Sequence, residues 1–237
     1  MRSKEYNWID ESENKDSIEF LKYSIELAHA GRLEEAVEEI RRQISHQPNV
    51  HFLHYWLGIL LFDLEDYAEA CEAFKKELEI TPRFRDAAWE LGSAYSRLEL
   101  TEETIKAYQQ ALDIDPCCVQ ALYGLGNAKM RSGEYSEAIE YYEDALFIQP
   151  ELDRSDPRSS DERSKSLVAI IHHNLGVMWM LLRNLEKAQE SFRRCQEIAP
   201  SGPLYELAND NLKLLSDVID KSDSITWNMI EFPPEDI

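Results

Sequence analysis

The stretch VQALYGLGNAKMRSGEYSEAIEYYEDALFIQPEL, residues 119–152, reads as helix, turn, helix and stop. Leu125-Gly126 pairs a large apolar residue with a small one. Ala138 follows twelve residues after Gly126, and Tyr142 lies one helical turn further on the same face. Ser132-Gly133-Glu134 has turn composition between them, and Pro150 cannot continue a helix. The same pattern returns along the chain. Pro48, Pro82, Pro116 and Pro150 are 34 residues apart, and Pro200 follows after 50, which is one period plus a 16-residue insertion. The leading pair recurs as Tyr23-Ser24, Leu57-Gly58, Leu91-Gly92 and Leu175-Gly176. The second set recurs as Ala36, Ala70, Thr104 and Ala188, with Ile40, Phe74, Tyr108 and Phe192 four residues later. A fixed period in this range marks a stack of small supersecondary units, each burying its apolar face on its neighbours.

Composition narrows the partners. The 237 residues carry 46 acidic and 25 basic side chains, a formal net charge of −21. Phosphate neutralisation by Lys and Arg drives nucleic-acid binding, so this balance argues against nucleic acid and equally against anionic membrane surfaces. Protein partners with apolar or basic surfaces are favoured. Four cysteines without a CxxC pair suggest neither a disulfide scaffold nor a thiolate zinc site. Residues 1–16 are polar and lack the apolar core of a signal peptide, and the longest apolar run, Gly176 to Leu182, is far too short to span a bilayer. These features predict a cytoplasmic protein.

At the Leu-Gly pair, the later Ala, the aromatic and the closing Pro, the chain resembles the tetratricopeptide repeat family. The resemblance covers five repeats, at 17–50, 51–84, 85–118, 119–152 and about 169–202. It implies an all-α, right-handed superhelical solenoid of antiparallel helix pairs. Departures are Ser24 for Gly, Thr104 for Ala, and Gln43 and Glu77 where a small residue is usual, which predicts looser packing in the first two repeats. Outside the array, residues 1–16 read as a flexible segment and 153–168 as an insert. From Ser160 that insert has helix-starting chemistry that could lengthen the first helix of the fifth repeat. Residues 203–220 read as a solvating cap with Glu206, Asn209, Asp210 and Lys213 outward. Residues 221–237 form an acidic tail with an apolar cluster at Ile225, Trp227, Met229, Ile230 and Phe232.

The resemblance also assigns binding to the concave face lined by first helices. Outward positions there are Phe52, Tyr55, Ile59, Phe62, Trp89, Ser93, Tyr123, Asn127, Ile170, His173, Asn174 and Val177. Aromatic groups on such a face suit an extended or helical peptide with apolar anchors. The family's charged clamp for a C-terminal carboxylate does not carry over. Its first lysine would fall at Leu21, Tyr55, Trp89, Tyr123 or His173, and later cationic sites hold Asp86 and Glu90. Asn127 and Asn174 match the family's two asparagine sites, which grip a peptide backbone. Acidic Asp63, Asp86 and Glu90 would favour basic residues in the partner.

Catalytic signals are thin. His51 with His54, and His172 with His173, offer too few ligands at metal spacing, and there is no phosphate loop, HExxH or nucleophile motif. His54 and His172 occupy the large core site of their repeats. The sequence therefore predicts a non-enzymatic adaptor, assembly factor or co-chaperone with no cofactor and no metal. The alternative is a self-associating oligomer whose residues 225–232 dock into its own or a neighbour's groove.

Overall fold

A computed structural model describes residues 15–148 and 162–220. The expectations for residues 1–14, for most of the insert and for the apolar tail fall outside the described residues. The described chain is helical throughout: α1 (Lys15–His29), α2 (Leu33–His46), α3 (Leu53–Asp63), α4 (Tyr67–Ile80), α5 (Arg85–Arg97), α6 (Thr101–Ile114), α7 (Val119–Arg131), α8 (Tyr135–Ile148), α9 (Glu162–Leu181), α10 (Leu185–Ile198) and α11 (Pro203–Asp220). It divides into two compact units, 1–124 and 125–237, with the boundary inside α7. In the first, each helix from α1 to α5 packs on the next. In the second, α8 packs on α9, α9 on α10, and α11 on both α9 and α10. This is the all-α helix-pair array the 34-residue period implies.

Each repeat turns by the same local device. The second residue after the first helix takes a left-handed backbone: Gly31 (φ 76°), Glu65 (63°), Glu99 (59°), Gly133 (77°) and Arg183 (60°). The next N–H then donates to the carbonyl five residues back, as in Arg32 to Leu27 (3.0 Å), Asp66 to Leu61 (2.9 Å) and Asn184 to Trp179 (2.8 Å). That closes a Schellman-type helix ending and aims the chain into the second helix. Only two of these five positions are glycine. The other three hold a conformation that disfavours L side chains, because packing on both sides fixes the turn.

The Leu-Gly pair has a specific packing partner. A Cβ on Gly58 would lie 2.6 Å from the Phe74 ring, on Gly92 2.6 Å from Tyr108, on Gly126 2.4 Å from Tyr142, and on Gly176 2.6 Å from Phe192. In each case the aromatic residue of the second helix fills the space that the glycine leaves on the first. Tyr108 is pinched twice, since a Cβ on Gly124 would meet it at 2.3 Å. The first repeat departs in both members together: Ser24 replaces Gly, and Ile40 replaces the ring. A side chain is admitted where no flat ring presses on it, and Ser24 and Ile40 are both buried.

Glu77, expected to loosen the second repeat, ties it instead. Its carboxylate is fully buried. It accepts from the backbone N–H of Phe52 (3.0 Å) and Tyr55 (3.2 Å) and lies 2.6 Å from His51 Nδ1. Phe52, the N-cap of α3, is itself left-handed and supplies no side-chain cap. A carboxylate from α4 therefore satisfies the donors at the start of α3, where the helix dipole also favours negative charge.

Gly92→Ala forces the Tyr108 ring out of its seat and is expected to lower stability by about 1–3 kcal/mol. In a Tyr108→Leu background the same change should cost distinctly less, because the flat ring is gone. Urea denaturation of the four proteins checks this, and full additivity would contradict the packing account.

Candidate functional site

The expected binding residues separate into a partly exposed set and a core set. Within residues 15–124, Phe52, Trp89, Ser93 and Tyr123 are partly exposed. The Phe52 ring lies 3.5 Å from that of His51 and 5.1 Å edge-on from Phe84. Ser93 Oγ contacts the Trp89 carbonyl (3.2 Å) and the Tyr108 hydroxyl (3.2 Å). Trp89, Ser93 and Tyr123 belong to the first helices of two successive repeats, and Phe52 opens the first helix of the repeat before them.

Tyr55 and Ile59, expected to face outward, are buried. The cause is the composition of α3, LHYWLGILLFD, which is apolar on every side, and such a helix has no face to give to water. The Tyr55 ring packs 4.9 Å from Phe84 and 6.0 Å from Phe74. Glu90 is also buried, and Asp86 is held by the Arg85 guanidinium at 2.8–2.9 Å. Of the three acidic groups expected to attract a basic partner, only Asp63 is exposed.

In residues 125–220 the outward positions of α9 are filled from within. Ile170, His173, Asn174 and Val177 are all buried. His173 Nε2 lies 3.0 Å from Asn211 Nδ2 on α11, and its ring stands 5.4 Å from Phe192. The additional helix α11 thus supplies the partner that a groove-facing histidine would otherwise seek in a ligand. Exposed Glu206, Asp210 and Lys213 lie on its outer side. His54 and His172, expected in the core, are only partly buried, and His54 Nε2 lies 3.0 Å from the Pro48 carbonyl.

The two asparagines do come together, but on each other. Asn127 Oδ1 accepts from Tyr142 Oη (2.6 Å) and from Asn174 Nδ2 (3.3 Å), and Asn174 Nδ2 also lies 3.3 Å from Tyr142 Oη. Asn127 Oδ1 and Asn174 Nδ2 thus belong to an internal network with the Tyr142 hydroxyl, while Asn174 Oδ1 is buried without a hydrogen-bond partner. The second-helix tyrosines were missed as members of it, although the sequence carries a signal. The ring position is Tyr where the residue directly after the Leu-Gly pair of the first helix is polar, Ser93 with Tyr108 and Asn127 with Tyr142. It is Phe where that residue is apolar, Ile59 with Phe74 and Val177 with Phe192. A buried hydroxyl requires a partner, so the two positions change together.

Burial pushes the His173 pKa down to about 4, against a smaller upward pull from neighbouring Asn174. Burial also raises the thiols of Cys71 to about 11 and Cys195 to about 12, and moves Cys118 in the same direction. These thiols stay protonated and are poor nucleophiles. Among the described residues, no group of three or more His, Cys, Asp or Glu could hold a metal ion, and no helix is long and apolar enough to cross a membrane.

His173 has a signed consequence. Above pH 6.5 folded and unfolded chains are both neutral there. Between pH 6.5 and 4 the unfolded chain binds the proton and the folded chain does not, so stability falls on acidification by up to about 3 kcal/mol. His173→Gln keeps an amide for Asn211 and should flatten the difference in unfolding free energy across that window. Separately, Glu77→Ala leaves the backbone donors of Phe52 and Tyr55 unmatched and should cost about 2–3 kcal/mol in urea denaturation, with Glu77→Gln losing less.

Comparison with known proteins agrees with this architecture. Family profiles described as tetratricopeptide repeat match residues 51–84, 86–116, 119–152 and 169–201, together more than half of the chain. No curated protein matches by sequence. Similar solved structures include MamA residues 41-end from Desulfovibrio magneticus RS-1, 21% identical with TM-score 0.66, covering 79% of this chain and 97% of that one. YrrB, described as a TPR protein with an unusual peptide-binding site, is 22% identical with TM-score 0.61, covering 84% and 95%. PilW, described as a widely conserved type IV pilus biogenesis factor, is 18% identical with TM-score 0.66, covering 89% and 96%. At these identities the likeness is one of fold. Four family matches in register with the glycine–ring packing identify the chain as a member of the tetratricopeptide repeat family.

Proposed function

We propose that this protein is a non-enzymatic adaptor that holds a partner peptide or helix on the first-helix surface of residues 15–124, anchored at Phe52, Trp89 and Tyr123 with Ser93 beside them. Membership of the tetratricopeptide repeat family supports a protein-interaction scaffold. The observation that carries the finer reading is the partial exposure of these aromatics, while Tyr55 and Ile59 between them are buried. Large, partly exposed rings provide contact area with little entropy to lose, as expected of binding hot spots. The partner's anchors are apolar or aromatic. Basic preference is weaker than the net charge implies, because Asp86 and Glu90 are engaged or buried. The Asn127–Asn174 pair serves on this reading as internal support and not as the backbone grip.

Selection of peptides from a displayed random library against the full chain tests the site. Selected peptides should carry apolar anchors and lose affinity at least about tenfold on Trp89→Ala or Tyr123→Ala. Phe147→Ser, which alters an apolar residue 83% exposed on α8, should leave affinity unchanged. Binders indifferent to Trp89 and Tyr123 would overturn the assignment.

A further inference from the structure

The second repeat opens differently from those after it. α5 and α7 begin 34 residues apart, at Arg85 and Val119, so the matching start in the second repeat is residue 51, yet α3 begins at Leu53. His51 and Phe52 form a turn instead, and Phe52 takes φ 73°. Among the described residues the other left-handed non-glycine positions are Glu65, Glu99 and Arg183, which follow first helices, whereas Phe52 precedes one. A bulky residue in that conformation is strained and persists only where its surroundings hold it. The late start coincides with a change on α4. The place of Glu77 is taken in the later repeats by the small residues Ala111, Ala145 and Cys195, and all four are buried.

Glu77 and Phe84 hold the same three residues. The carboxylate meets His51 Nδ1 (2.6 Å) and the Phe52 N–H (3.0 Å) through Oε1, and the Tyr55 N–H (3.2 Å) through Oε2. The ring of Phe84, the N-cap residue of α5, packs 5.2 Å from His51, 5.1 Å from Phe52 and 4.9 Å from Tyr55. Glu77 and Tyr55 are buried, while Phe52 and Phe84 stay partly exposed with their rings edge to face at 85°. We propose, resting on the adaptor reading above, that Glu77 is the positioning residue of the partner-binding surface. Its carboxylate holds Phe52 in the left-handed turn that seats the ring on Phe84. The Phe52–Phe84 corner is then a preformed platform for one aromatic or long aliphatic side chain of the bound peptide. A helix begun in register with α5 and α7 would put residue 52 in helical conformation, and its ring would leave the backbone in another direction. The carboxylate itself is required. Two backbone donors are divided between its two oxygens, so a glutamine of the same shape turns its own N–H onto one of them.

The test uses the full chain and peptides selected against it. The peptide side chain seated on Phe52 is the one whose alanine replacement costs no further affinity in Phe52→Ala protein. If no peptide residue meets that criterion, the proposal falls. In Glu77→Gln protein, discrimination between the peptide and that alanine form should drop about fivefold or more, while discrimination at the residues read by Trp89 and Tyr123 is retained. A purely structural Glu77 would weaken all these peptides alike or none of them, and either result overturns the proposal. Hydrogen exchange in the unmutated chain decides the matter if Glu77→Gln does not fold. The first N–H groups of a helix ordinarily lack internal partners, so slow exchange at Phe52 and Tyr55 reports the carboxylate. It should slow further on binding the peptide and not on binding its alanine form. Fast exchange at either amide, or the same response to both peptides, overturns the proposal. Binders indifferent to Trp89 and Tyr123, or no binders, remove the adaptor site and this inference with it. Binders that need both rings but discriminate unchanged in Glu77→Gln remove this inference alone.

Discussion

The fit of one aromatic ring into one missing side chain governs this fold. At Gly58, Gly92, Gly126 and Gly176 a methyl group would stand 2.4–2.6 Å from a ring on the partner helix. The distance between the two helices of a repeat is therefore set by the thickness of a ring seated against bare backbone. Close packing allows no slack at such a contact. The left-handed turn residue fixes where the second helix starts, and the ring fixes how near it lies. Together these two local constraints, repeated every 34 residues, produce the stack without any single large core.

The same constraint shapes the polar interior. Once a ring is seated, its para position points to the first-helix residue directly after the glycine, as the Tyr108 and Tyr142 hydroxyls do. Where that residue is Ser93 or Asn127 the ring carries a hydroxyl, and where it is Ile59 or Val177 it does not. Asn174 joins the Asn127–Tyr142 pair, so a residue type suited to gripping a peptide backbone becomes part of the interior. Buried amides without partners are costly, and an internal partner that is always present competes well against one that must be bound.

On the proposed reading, the binding surface is what the packing leaves over. Glu77 pins the start of α3, the rings of Phe74 and Phe84 cover Tyr55, and Asn211 closes His173. Phe52, Trp89 and Tyr123 stay partly exposed. On that reading, affinity comes from a few rigid apolar anchors more than from charge, despite the net charge of −21.

The sequence by itself determined the helix-pair unit, its period, its five copies and the residues at each contact, because proline stops, Leu-Gly pairs and ring positions are local chemistry repeated in register. It also ruled out the charged clamp, since side-chain sign needs no coordinates. Tertiary structure alone decided which groove-side residues meet water. Tyr55 and Trp89 occupy the same place in successive repeats, yet one is sealed and the other partly open. The difference lies in Phe84 and Phe74 for Tyr55, and in α11 for His173, contacts from other helices that no window along the chain contains. Burial is a property of neighbours, and a repeating sequence does not give every repeat the same neighbours.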